Sequence, residues 1–178
     1  MGLESGLSAS VNATLTTAQD LGQQVASMGR SYGARFTDGA AAGQANAVFH
    51  DQRTIPASGT ESLDLAGALV GPSGAAVTFA RVKGLLIAAA PSSSSTPGAP
   101  VNANDIIIGN DAASWASWLG AATHTIRLRP GAFIALGVGP LDATGYVVTP
   151  TTADILKITN GGAGSSVTYD IVIIGAAT

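Results

Sequence analysis

Two histidines, eleven carboxylates, eight basic residues and three tyrosines carry almost all the titratable chemistry of this chain, which has no cysteine. His50 and Asp51 are neighbours and invite a proton-relay reading, but adjacent residues of a strand point to opposite faces. No Gly-x-Ser-x-Gly turn supplies a nucleophile for such a relay. His124 stands alone, and neither histidine belongs to a His-Glu-x-x-His pair of metal ligands. Asp105 and Asp111 flank one apolar run; a hard cation wants at least about six oxygen ligands, so the two read as solvated loop carboxylates. Gly137-Val138-Gly139-Pro140 lacks the third glycine and the helix of a dinucleotide site, and no P-loop lysine element exists. The run Gly161-Gly162-Ala163-Gly164 resembles the start of a calcium-binding nonapeptide, but Ser166 stands where an aspartate is needed and nothing repeats. Asn12-Ala13-Thr14 is a glycosylation triplet by chance. These residues predict no enzyme, no cofactor and no metal site.

What remains for recognition is a small set of aromatics and cations. Trp115, Trp118 and Tyr146 offer flat rings on which a sugar could stack, although in a chain with 5% aromatics they serve first as core anchors or as a subunit contact. Arg81 and Lys83 lie two apart in a long apolar run, so they share a face turned to solvent or to a neighbouring subunit. Arg127 and Arg129 likewise share a face, with His124, Ile126 and Leu128 on the other. The eight basic residues are scattered and the net charge is −3, so nucleic acid is not an expected partner.

The elements that must position these residues read as strands. Residues 48–55, 60–66, 77–89, 105–109, 123–129, 132–138, 145–149, 154–159 and 166–174 are short, branched or alternating segments separated by turn signals. Leu63 and Leu65 alternate with Ser62, Asp64 and Ala66, the mark of a half-buried strand. Residues 56–59, 71–74 and 130–131 are turns by composition. Segment 77–89 reads as a central strand, and 166–174, apolar on both faces at its end, as an interior one. Segments 154–159 and 166–174 are expected to form a hairpin across a five-residue loop at 160–164. The Ser/Pro run at 91–100 is a loop. Residues 1–22 show no sustained periodicity and read as an arm; for 23–43, interior glycines disfavour a helix and leave a strand pair or an irregular arm. The expected architecture is all-β: an antiparallel β-sandwich, jelly-roll-like, over 45–178, with an extended N-terminal arm over 1–44.

Composition adds a second constraint. Only 11% of the 178 residues are charged, 46% are hydrophobic, and mean hydropathy is +0.34. A solitary soluble protein ordinarily carries about a quarter charged residues, so this exterior is suited to being covered by other protein. The longest apolar stretch, 84–90, is far short of a bilayer span and the first ten residues lack a leader's pattern, so no membrane is expected.

Several phrases carry a family likeness: Glu61-Ser62-Leu63-Asp64-Leu65-Ala66-Gly67 after Arg53-Thr54, Val77-Thr78-Phe79-Ala80-Arg81-Val82-Lys83-Gly84-Leu85-Leu86-Ile87, Ile126-Arg127-Leu128-Arg129-Pro130-Gly131, Asp142-Ala143-Thr144-Gly145-Tyr146, and Ser166-Val167-Thr168-Tyr169-Asp170-Ile171-Val172-Ile173-Ile174-Gly175 after Asp154-Ile155-Leu156-Lys157-Ile158. Over 45–176 the chain resembles small virion-associated proteins of tailed bacteriophages. The resemblance implies a structural role, as a capsid decoration (cement) protein on the outer head surface or as part of a head fibre, with no catalytic residue. It implies location in the virion after assembly in the host cytoplasm, and contact with the major capsid protein and with copies of itself, a trimer ahead of a dimer. A carbohydrate-binding or adaptor module of a head fibre or tail is the other reading. The 91–100 loop and the first twenty residues depart from the pattern.

Overall fold

In the computed structural model, residues 2–67, 69–89 and 102–177 are described, and among them there is no helix. The strands in chain order are β1 (Ser5–Gln19), β2 (Gly22–Phe36), β3 (Ala47–Ile55), β4 (Thr60–Asp64), β5 (Leu69–Val70), β6 (Ala76–Val77) and β7 (Arg81–Ala88). They continue as β8 (Ile106–Gly109), β9 (Thr125–Leu128), β10 (Phe133–Gly137), β11 (Tyr146–Val147), β12 (Ile155–Asn160) and β13 (Val167–Ala176). One antiparallel sheet runs β10-β7-β13-β3 with β11 also on β7; a second runs β4-β12-β8-β9. Period-two alternation puts Leu85, Ile87, Tyr169, Ile171 and Ile173 of the first sheet and Leu63, Ile106, Ile108, Leu156 and Ile158 of the second into one shared core. As expected, β13 is interior, bonded to β7 on one side and β3 on the other.

The outer face of the five-stranded sheet is covered at one end. Phe36, Ala45, Val138 and Ile174 form a second apolar cluster there, with Leu3, Ala34 and Val172 against it. Burying a phenylalanine in this way is worth about 1.5–3 kcal/mol. Phe36 therefore fixes the foot of the β1–β2 hairpin to the sheet.

Four expectations need correction. Residues 1–22 are not without periodicity: β1 alternates from Leu7 to Leu15, with alanines among its apolar members, and pairs with β2 over fifteen residues. The loop after residue 160 does not close a hairpin, because β12 bonds to β4 and β8 while β13 bonds to β3 and β7 in the other sheet. It is a corner between sheets. Segment 77–89 is interrupted, since Phe79 turns into the core and its N–H is taken by Leu65 O, outside any ladder. Finally, Lys83 is not a surface residue. The β13–β7 register slips between Ile174 and Gly175, opposite Lys83, so the lysine occupies a bulge and is fully buried. The loop expected at 91–100 lies outside the described residues.

Candidate functional site

The β1–β2 hairpin is where this protein departs most from an ordinary sandwich. Its two fifteen-residue strands span about 50 Å at 3.4 Å per residue, and beyond the foot nearly every residue is exposed. The register, with Val11 opposite Arg30 and Leu7 opposite Ala34, sorts the side chains into two unlike faces. One carries Leu7, Ala9, Val11, Ala13 and Leu15 from β1, facing Ala34, Tyr32, Met28 and Ala26 of β2 across Arg30. The other carries serines, threonines, Asn12 and glycines, with Val25 its single large apolar residue. Leu15 is 67% exposed, Tyr32 70%, and Leu21 at the turn is fully exposed. A two-stranded ribbon is at best marginally stable in water, and an exposed apolar stripe of this length is costly for a solitary chain.

The same face already makes one contact. Gly84 of β7 and Gly137 of β10 are register partners, and Leu7 lies over both: a Cβ on Gly137 would stand 3.2 Å from Leu7 Cδ2, and one on Gly84 3.8 Å from Leu7 Cβ. Beyond this seat the hairpin and the sheet diverge. They leave a groove of about 300 Å³ lined by Leu7, Tyr32, Ala34, Ala135, Gly137 and Val138.

The residues selected from the sequence are dispersed. Trp115 is buried, its indole Nε1 donating to Val147 O at 3.0 Å; it packs edge-on to Tyr146 at 6.4 Å and tilted against Trp118 at 5.8 Å. Trp115 thus packs against both of the other rings, with Trp118 and Tyr146 half-buried. Arg81 donates to Ala143 O. Lys83 Nζ donates to Ala41 O at 2.5 Å and more weakly to Ala40 O, pinning the segment that follows the hairpin; burial, then the Arg81 charge, lowers its pKa, with Asp142 opposing. Arg127 and Arg129 are exposed and share Asp105 at 2.8 and 3.7 Å, while Asp111 lies at 4.0 Å from Lys157. The two aspartates thus face different cations, Asp105 the two arginines and Asp111 the lysine. Among the described residues no group of three or more histidines and carboxylates converges as metal ligands. His50 is exposed opposite Val172, and Asp51 accepts from Arg53, so the two form no relay. His124 Nδ1 is engaged with Leu119 O.

Sequence reasoning missed a polar network that ties the sheets together at their edge. Arg53 on β3 reaches across to Glu61 on β4, with Nε donating at 2.6 Å and NH2 also to Oε1, while NH1 holds Asp51 Oδ2 at 2.7 Å. Tyr169 of β13, fully buried, donates its hydroxyl to Glu61 Oε2 at 2.8 Å. Burial pushes the Glu61 carboxyl up, but the hydrogen bonds from Arg53 and Tyr169, then the Arg53 charge, outweigh it and hold the carboxyl below its ordinary value. Burial and the Glu61 hydrogen bond push the Tyr169 hydroxyl far up, so it remains a donor. The available signal was positional: Arg53 and Glu61 flank the 56–59 turn. Asn160, also missed, is buried between loops, its Nδ2 meeting Ser165 O at 2.8 Å, Pro56 O at 3.0 Å and Ile55 O at 3.3 Å.

No protein-family model matches this sequence, and no curated protein and no solved structure matches it.

Proposed function

We propose that this chain is a non-enzymatic structural subunit with a jelly-roll body, and that it serves in the virion of a tailed phage as a decoration protein on the outer head surface, touching the major capsid protein and copies of itself. The jelly-roll part of this reading is supported by strand order. Apart from the short β5, β6 and β11, eight strands follow the hairpin, and they pair first with last, second with seventh, third with sixth and fourth with fifth: β3 with β13, β4 with β12, β7 with β10, β8 with β9. Such nesting is what a double Greek key would give, an arrangement frequent in viral coat domains but not confined to them. The hairpin is then the N-terminal arm, built to lie on a neighbour.

The observation that carries the structural role is the hairpin's exposed apolar face, joined to a body with few charged residues. Such a surface favours assembly over a free existence. The glycan-binding alternative draws less support, because Trp115 is buried and both Trp118 and Tyr146 pack against it. The test is cryo-electron microscopy of purified particles together with quantitative mass spectrometry. A copy number matching the capsid lattice, with density on the outer head, is the expected result; absence from particles, or turnover of a substrate by the pure protein, overturns it.

A further inference from the structure

The apolar face of the hairpin has a pattern that goes beyond being apolar. Across the ribbon, rows of facing residues hold one large and one small side chain: Ala9 with Tyr32, Ala13 with Met28, Leu15 with Ala26. Between the last two rows the large residue changes strand, from Met28 on β2 to Leu15 on β1. Two identical faces can be laid together antiparallel about a twofold axis passing between those rows, which sets β1 over β1 and β2 over β2. Leu15 then meets the partner's Ala13, and Met28 meets the partner's Ala26. One row further on each side, Val11 meets the partner's Thr17 and Arg30 the partner's Gln24, with the arginine at a ribbon edge where its head reaches water. In the next row Tyr32 covers the partner's Gly22, which sits opposite Gln19 at the end of the ladder. Large meets small in the two central rows and again where Tyr32 covers Gly22, the condition for close packing between faces.

The same superposition carries the hairpin tip, with its fully exposed Leu21, to the row of the partner's Leu7 and Ala34. That row is where the groove between hairpin and sheet opens. The tip therefore arrives at an apolar cavity already present at the partner's hairpin foot, continuous with the contact that Leu7 makes on Gly84 and Gly137. The overlap is about 34 Å long and about 10 Å wide, a footprint of roughly 700 Å² over both copies before the seating of Leu21 is added, which is the size of a small, reversible interface.

We infer that the hairpin is a dimerisation arm: its apolar face is covered by the same face of a second copy of this chain, antiparallel about a twofold axis between the Ala13 and Leu15 rows, with Leu21 seated in the groove of the opposite copy. This rests on the self-association within the proposed function and not on the virion role.

The test is light scattering on the eluting full chain with sedimentation equilibrium, alongside thermal melting of the body. Wild type is expected to be a dimer. Leu15→Lys is expected to be a monomer with an unchanged melting transition. Ala13→Leu, which sets leucine against the partner's Leu15, and Leu15→Ala, which leaves a gap, should each weaken the dimer about tenfold or more. The double variant Ala13→Leu with Leu15→Ala restores large against small and should return affinity to near the wild-type value. A monomeric or trimeric wild type, a dimeric Leu15→Lys, or a double variant no better than its parents overturns the pairing. A chain that dimerises but is missing from particles leaves the pairing standing and removes the virion role.

Discussion

Leu7 of the hairpin rests on Gly137 of the sheet, its Cδ2 only 3.2 Å from the place a Cβ would occupy there. Gly137 lies opposite Gly84 in the ladder, so two missing side chains on neighbouring strands make the seat. This is the point at which the hairpin is held to the body beyond Phe36.

Leu7→Ala is therefore expected to release the hairpin from the sheet at a local cost of about 1–2 kcal/mol. Hydrogen exchange should accelerate in β1 and β2 while the melting of the body stays where it is. Gly84→Ala, whose new Cβ would find ordinary contacts of 3.5 Å or more, should be tolerated.

Glu61 joins three strands through Arg53 and Tyr169. Tyr169→Phe strips a donor from a partly buried carboxylate and should cost about 1–3 kcal/mol in urea unfolding. The pH dependence has a definite sign. The folded carboxyl lies below its ordinary value of 4.5, so its contribution is complete above that value and is lost as pH falls through the lower folded value. Glu61→Gln should thus be less stable than wild type at neutral pH, and the gap should shrink steadily once the pH drops below about 4.5.

Lys83 fills a bulge and ties Ala41 and Ala40 to the sheet. Its folded pKa is lowered, chiefly by burial, so the unfolded chain binds the extra proton, and stability from this group rises with pH between the folded value and the ordinary 10.5. Lys83→Met should remove that slope in alkaline unfolding curves. It should also expose the segment 37–45 to protease, because the methionine fills the space without holding the carbonyls.

Asn160 offers its amide to three backbone carbonyls. Asn160→Asp would set a carboxylate against those oxygens in a buried site, at a cost of about 3 kcal/mol, or a fall in Tm of about 6–12 °C for a chain of this size. The loss should lessen in acid, where the carboxyl is neutral and can donate.

Legibility in the sequence followed the range of the interactions. Leu63 and Leu65 announced β4 because their period needs no partner, and the apolar run ending at Ile174 announced an interior strand. The step from β12 to β13 was misread because a glycine-rich turn looks alike whether it returns a strand to its own sheet or carries it to the facing one; the choice is made by β3, over a hundred residues earlier. The hairpin was hidden because Ala9 and Ala13, two of the five apolar positions that alternate in β1, do not look hydrophobic. Arg53, Glu61 and Tyr169 are unremarkable one at a time, and only the closing of the sandwich edge brings them together. Lys83 was misjudged for a related reason: a bulge shifts the phase of a strand, and alternation assumes there is none.

The nesting of β3 against β13 also bears on how the molecule is made. The five-stranded sheet cannot close until β13 has left the ribosome, since β3, its first member in chain order, bonds only to β13, which lies between it and β7. During synthesis the hairpin, with its greasy stripe of leucine, valine and methionine, emerges before the floor it will stand on exists. High contact order makes that interval long, and nascent chains on one polysome would meet through the stripe first.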